Sequence, residues 1–263
     1  MERDVQERMA SRGWEEELVA IGRSVRKRRE GQQLSEEGGQ DISNCVLTIM
    51  GRLATLPSAD MTNKKSLLLF AVGELPAQSP PSSSLLDLFV RLSIHAELEE
   101  VFLQEAIVPL ASLLPLLSDQ LLLHKLLTTL LNVSASSEEA RRRMLRLELP
   151  NTLLQVSLRE GSEEERVSLL LLKNLTLVEM EEEEISSCYK EWVERLLTMM
   201  SRRSKERIVL CLKVLGSLTT TRGGRRLVLQ SELVSWLTAR EDRRTVGKER
   251  NGEKEEGRKE EEE

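Results

Sequence analysis

The side chains best suited to acid–base or metal chemistry are few and scattered. His95 and His124 are the two histidines, and imidazole is the group that titrates nearest neutral pH. Neither has a paired Cys, Asp or His at a ligand spacing such as HExxH, so both read as core or surface histidines. Cys45, Cys188 and Cys211 are odd in number and far apart, which gives neither a disulfide framework nor a zinc spacing. A reducing compartment, cytoplasmic and/or nuclear, is the simpler expectation. No GxGxxG, GxxxxGK(S/T) or GxSxG segment occurs, so no phosphate cradle or nucleophile turn is encoded. The expectation is a protein with no catalytic residues, no cofactor and no metal site.

Two charged clusters could carry binding chemistry instead. Val25–Arg29 (VRKRR) holds four basic groups. It reads as a nuclear localisation signal or nucleic-acid contact, or else as a solvated helix face or charged arm. Glu179–Glu184, acidic except for Met180, reads as a solvated loop or as a contact for a basic partner.

The composition limits the function further. Of 263 residues, 40% are hydrophobic and 31% charged, so the chain can bury a core and stay in solution. Aromatics are only 3% and leucine dominates the apolar set, which favours helix over strand. A net charge of -6 argues against a general nucleic-acid binder. The start MERDVQERMASRGWEEEL has no apolar core of a secretory signal. Apolar runs such as Leu121–Leu123 and Leu169–Leu172 fall far short of the roughly 20 residues of a membrane span. Asn132-Val133-Ser134 and Asn174-Leu175-Thr176 match a glycosylation sequon; with no signal sequence expected, both read as coincidental.

The elements that must position these groups follow from an internal repeat. IMGRLAT, LFVRLSI, LLNVSAS, LKNLTLV and VLGSLTT place Leu53, Leu92, Val133, Leu175 and Leu218 in one register, with spacings of 39, 41, 42 and 43. Helical repeats of the armadillo and HEAT class have periods of about 40–47 residues. A second register, VFLQEAIVPL, RMLRLELPNTL and LVLQSELVSWL, aligns Leu103, Leu145 and Leu229 at 42 and 84. Its missing copy falls near Ser187, and Trp192 and Trp236, 44 apart, restore the register.

Each repeat reads as three helices: a short polar first helix (Glu138–Leu147), an apolar second (Val108–Leu117), and a long third with the strongest stripe (Leu122, Leu126, Leu130, Val133). Ser162–Glu165 and Ser136–Glu139 fit capping boxes. Gly161 suits a helix stop, and Gly223-Gly224 a stop or turn. The third helices are apolar on most sides, so stacking must bury them. Asp4–Arg29 predicts an amphipathic helix through Val5, Met9, Leu18, Ile21 and Val25, weakened by Gly13 and Gly22. Gly73–Ser84 predicts a long exposed Pro/Ser loop. The organisation expected is a charged segment 1–41, a repeat domain 42–239 and a disordered charged tail 240–263.

The five copies resemble the third helix of armadillo repeats, which ends roughly Leu-x-Asn-Leu-Ser/Ala; the resemblance covers about Asn44 to Thr238. It implies an all-α solenoid, a right-handed superhelix of about five three-helix units. In that superfamily the asparagine lines a concave groove and hydrogen-bonds the backbone of an extended peptide. The equivalent positions here are Arg52, Arg91, Asn132, Asn174 and Ser217, the partner-binding residues that the resemblance implies. The alternative is that Asn132 and Asn174 bond neighbouring helix backbone or loops, since a recurring polar residue on an apolar helix needs some partner. The ladder also accounts for the two sequons. Import receptors of this superfamily carry tryptophans one turn before the asparagines; Thr128 and Leu170 stand there instead, so nuclear-localisation-signal recognition is not implied. Trp192 and Trp236 read as core on second helices. Leu131–Ser134 together with Arg195–Ile208 (RLLTMMSRRSKERI) is similar to the heat-shock-factor-2-binding protein family, meiotic adaptors that bind a recombination mediator, although that family's long N-terminal coiled coil is missing here. The expected function is a non-catalytic adaptor for a protein or peptide partner, with no membrane and no nucleic acid; the alternative is a co-chaperone or nucleotide-exchange factor.

Overall fold

The computed structural model describes residues 14–30, 36–55, 61–78, 80–156, 162–178, 182–201, 204–233 and 235, and every regular element among them is helical. In chain order these are α1 (Trp14–Glu30), α2 (Glu36–Ala54), α3 (Met61–Glu74) and α4 (Ser83–Leu92). A helical stretch follows from a short turn (Ala96–Leu98) through α5 (Glu99–Val101) and a wide π turn (Phe102–Ala106) into α6 (Ile107–Leu113). Then come α7 (Gln120–Ser136), α8 (Glu138–Arg146), α9 (Leu149–Val156), α10 (Glu163–Leu175), α11 (Glu182–Ser201), α12 (Lys205–Leu218) and α13 (Arg222–Gln230). The chain divides into two compact units, Met1–Val178 and Glu179–Glu263. That boundary lies inside the range 42–239 expected as one array.

The third helices of the repeats are α2, α4, α7, α10 and α12. In the first unit α2 packs on α4, α4 on α7 and α7 on α10. In the second, α11 packs on α12 and α13. Stacking is required because each third helix is apolar over most of its circumference. The register residues Leu53, Leu92, Val133, Leu175 and Leu218 are all at most 2% exposed, so the five copies share one structural position.

The second register keeps its spacing, with burial that varies at the anchor residues. Leu229 is 67% exposed, whereas Phe102, Met144 and Val228 are each 5% exposed or less. The period stands: a buried residue recurs one position before each anchor, and of the anchors themselves Leu145 is buried, Leu103 half-buried and Leu229 exposed. In the repeat without this landmark, the single helix α11 replaces separate first and second helices. Trp192 on α11 is buried edge-to-face against Tyr189, ring centroids 4.4 Å apart, as core. Trp236 lies outside the described residues.

Caps set the helix starts. Ser162 Oγ accepts from the Glu165 N–H at 3.1 Å, as expected. The other expected box is displaced: Ser136 is the last residue of α7, and Ser137 caps α8 by accepting from the Ala140 N–H. Ser82, Asp119, Ser204 and Thr221 cap α4, α7, α12 and α13 in the same way. The Gly73–Ser84 loop is shorter and less exposed than expected. Gly73 still belongs to α3, Ser83 to α4, and Leu75, Gln78 and Pro81 are buried. Gln78 Oε1 accepts from the Ser82 N–H, which folds the loop onto the core. Gly223 and Gly224 do not stop a helix; they open α13. A Cβ on Gly224 would stand 2.2 Å from the Leu218 carbonyl oxygen, so glycine is required by close approach. Gly161 lies outside the described residues.

At the N-terminal end, α1 packs on α2 and α3. Its buried face is Leu18, Val19, Gly22 and Val25, while Ile21 is exposed. Ile21 was expected on the apolar face; Val19 and Gly22 are buried instead, Gly22 against Phe70 of α3. Val5, Met9, Gly13 and the tail 240–263 lie outside the described residues. Within VRKRR, Val25 is core and Arg26 Nη1 donates to the Gly73 carbonyl at 2.6 Å, beside Glu74. That guanidinium satisfies a carbonyl at the end of α3 and matches the helix dipole.

Glu148 holds φ 53° in the turn between α8 and α9. The left-handed region costs a residue with a Cβ about 1–2 kcal/mol, partly offset by the greater unfolded-state freedom of glycine. Glu148→Gly is therefore expected to stabilise the first unit by roughly 0.5–1 kcal/mol in urea unfolding. Loss of stability would mean that the exposed Glu148 side chain makes a contact that outweighs the strain.

Candidate partner-binding face

Asn132 and Asn174 sit near the C-terminal ends of α7 and α10 and repeat one arrangement. Asn132 Nδ2 donates to Ser93 Oγ at 2.9 Å, and Ser93 Oγ donates to the Val90 carbonyl at 2.8 Å. Asn174 Nδ2 donates to Ser134 Oγ at 3.0 Å, and Ser134 Oγ donates to the Leu131 carbonyl at 2.7 Å. Each asparagine thus reaches the hydroxyl of the preceding repeat. The hydroxyl can accept because its own hydrogen goes to a helix carbonyl three residues back. The sequence allowed helix backbone, loops or a partner; the bond found is to a serine side chain. Among the described residues each Oδ1 accepts no hydrogen bond, so the half-buried carboxamides keep acceptor capacity at the surface.

The preceding ladder positions are charged. Arg52 on α2 and Arg91 on α4 are exposed. Arg91 Cδ lies 3.3 Å from where a Cβ on Gly51 would stand, so Gly51 opens the path along which that side chain crosses α2. Ser217 lies in the second unit on α12 and is buried. Arg52, Arg91, Asn132 and Asn174 therefore occupy equivalent turns of four helices packed in succession, and Ser217 holds the same turn in the other unit.

Two ties were not legible as such. Lys125 Nζ lies 2.7 Å from Asp87 Oδ2 and 2.6 Å from Ser83 Oγ, locking α7 to α4. Ser93 and Ser134 were hidden acceptors; their signal was the hydroxyl that follows four of the five register residues, at Ser93, Ser134, Thr176 and Thr219.

The acid–base candidates are placed structurally. His95 Nε2 lies 3.1 Å from the Ala54 carbonyl and Nδ1 3.4 Å from Lys64 Nζ. A carbonyl only accepts, so Nε2 carries the proton and the ring pins the end of α4 to that of α2. His124 is half-buried on α7, and its buried Nδ1 has no partner among the described residues. Cys45 is exposed and Cys211 buried; the side chains of Cys188, Arg28 and Arg29, like residues 179–181, lie outside the described set. Among the described residues no three His, Cys, Asp or Glu side chains gather where a metal could bind, and no helix is long and apolar enough to cross a membrane. The Glu163 carboxyl is held below its ordinary range, first by the hydrogen bond from Arg166. That pair is exposed and contributes little.

No family model and no curated protein matches the chain. Solved structures do. A designed armadillo repeat protein in complex with peptide (KR)4 is similar at 13% identity and TM-score 0.62, over 81% of this chain and 87% of that one. Computationally designed armadillo repeat proteins for modular peptide recognition match at 14% identity and TM-score 0.55, over 76% of this chain and 90% of that one. An engineered protein from a structural genomics programme matches at 13% identity and TM-score 0.61, over 76% and 82%. With helices alone in the described residues and third helices stacked in register, the chain has an all-α, armadillo-type solenoid fold.

Proposed function

We propose that this chain is a non-catalytic adaptor that holds a peptide or partner domain on its third-helix face. The observation that carries the reading is the row Arg52, Arg91, Asn132 and Asn174, one per repeat on helices packed in succession, with both arginines exposed and both carboxamides keeping an acceptor. Two of the similar structures are armadillo proteins designed or solved around a peptide, which supports the same use of the fold here. Arg52 and Arg91 favour an acidic stretch of partner at that end. The similarity to heat-shock-factor-2-binding proteins makes a meiotic recombination mediator the first specific partner to test. Cytoplasm and nucleus are the compartments we propose.

Peptides selected by display on the full chain provide the probe. Arg52→Glu with Arg91→Glu is expected to weaken binding of the selected peptides at least about tenfold with helicity unchanged. Asn132→Ala with Asn174→Ala removes two inter-repeat bonds, so it should cost stability of about 1 kcal/mol per bond as well as binding. Unaltered peptide affinity in both variants would move the site off this face. Acceleration of nucleotide release by a chaperone ATPase, lost in the same variants, would favour the co-chaperone alternative.

A further inference from the structure

We infer that the edge of the array opposite the asparagines carries a second docking site, a pocket for one apolar side chain of a partner protein flanked by a basic residue. The inference does not rest on the ladder reading. A cavity of about 300 Å³ opens between two successive repeats of the first unit. Pro80 and Pro81 form one wall; Leu113, Leu116, Leu117 and Leu122 form the other. Leu116 is 70% exposed, and Leu121, next in sequence to the lining Leu122, is 58% exposed. An isolated surface leucine is ordinary, but an exposed leucine that lines a concavity built from prolines and further leucines marks a recognition surface.

The walls are fixed before any ligand arrives. Gln78 Oε1 holds the Ser82 N–H, Ser82 Oγ caps α4, and Asp119 Oδ1 caps α7 through the Leu122 N–H. Lys125 joins the two repeats through Ser83 and Asp87. A preformed site loses little freedom on binding.

Charge selects the occupant. Asp119 is exposed at the rim, and among the described residues no Lys, Arg or His side chain lines the cavity. The nearest lysine on α7, Lys125, is already paired with Asp87. A cation beside the buried side chain would meet the Asp119 carboxylate, whereas an anionic lipid surface or an acidic segment would be opposed. The occupant is therefore a Leu, Met or Phe next to a Lys or Arg, the reverse of the acidic partner that Arg52 and Arg91 favour.

The test titrates two hexapeptides into the isotope-labelled full chain, one with leucine beside lysine in a serine background, the other with glutamate replacing lysine. Amide shifts should cluster at Leu113–Leu122 and near Pro81, with the lysine peptide binding at least about threefold tighter. Leu116→Asp, at an exposed position, should abolish the shifts. Asp119→Asn keeps a good cap and should bring the lysine peptide down to the affinity of the glutamate peptide. Arg52→Glu with Arg91→Glu should leave these shifts unchanged, which separates this site from the ladder. Absence of shifts with either peptide at millimolar concentration overturns the proposal. So does binding to anionic vesicles, or a concentration-dependent dimer, that Leu116→Asp removes, since the edge would then face lipid or a second copy. Equal affinity of the two peptides, insensitive to Asp119→Asn, overturns the basic flank.

Discussion

Leu92→Ala is expected to lower the stability of the first unit by about 2–5 kcal/mol, while Ile94→Ala, two residues away, should change it by no more than about 0.5 kcal/mol. Leu92 is fully buried and Ile94 is 64% exposed. The contrast follows from where the two side chains leave the end of α4. Leu92 points between α4 and its neighbours, so truncation removes buried methyls and leaves a cavity that close-packed helices cannot refill. In a stacked array each repeat is stabilised mainly through its neighbours, so a hole in α4 weakens its packing on α2, α3 and α7 together. Urea unfolding followed by circular dichroism, with amide exchange to assign the loss to α4 and the helices around it, makes the measurement. Similar costs for the two variants would show that the register residues are not equivalent core positions.

The fold was legible because one signal recurred five times. Leu53, Leu92, Val133, Leu175 and Leu218 reported burial reliably, since each copy of the period samples the same neighbour environment. The second register had only three copies, and its anchors differ in burial, with Leu145 buried and Leu229 67% exposed; a period fixes spacing but not which of two adjacent apolar residues faces the core. Local rules failed where tertiary approach decided the matter. Gly223-Gly224 read as a helix stop or turn, but the pair opens α13, and Gly224 is glycine because the Leu218 carbonyl passes close to it. The Pro/Ser stretch read as an open loop, but Gln78 folds it inward through the Ser82 N–H. The ladder positions were legible by type, yet the bonds from Asn132 to Ser93 and from Asn174 to Ser134 join residues 39 and 40 apart. No local pattern pairs such residues until the stacking order of the helices is known. The pocket beside Pro81 was illegible for the same reason: its walls come from different repeats.

Gly22→Ala should destabilise the docking of α1, although a helix interior ordinarily favours alanine over glycine by about 0.8–1 kcal/mol. The opposing effect is steric. A Cβ on Gly22 would stand 2.5 Å from Phe70 Cζ and 2.9 Å from Cε2, nearer than carbon atoms pack. Phe70 is buried on α3, so its ring has little room to withdraw. Forcing an extra carbon into such a contact costs typically 1–3 kcal/mol, which exceeds the propensity gain in most of that range. The net loss expected is roughly 0–2 kcal/mol, confined to α1 and its contacts. Faster proteolysis at the exposed Arg23 and Lys27, with helicity of the remaining repeats preserved, is the readout that localises it. A double-mutant cycle with Phe70→Leu then isolates the collision. The shorter side chain should make Gly22→Ala neutral or stabilising, with a coupling of at least about 1 kcal/mol. If Gly22→Ala is instead stabilising in the presence of Phe70, helix propensity governs that position and α1 does not seat through the glycine.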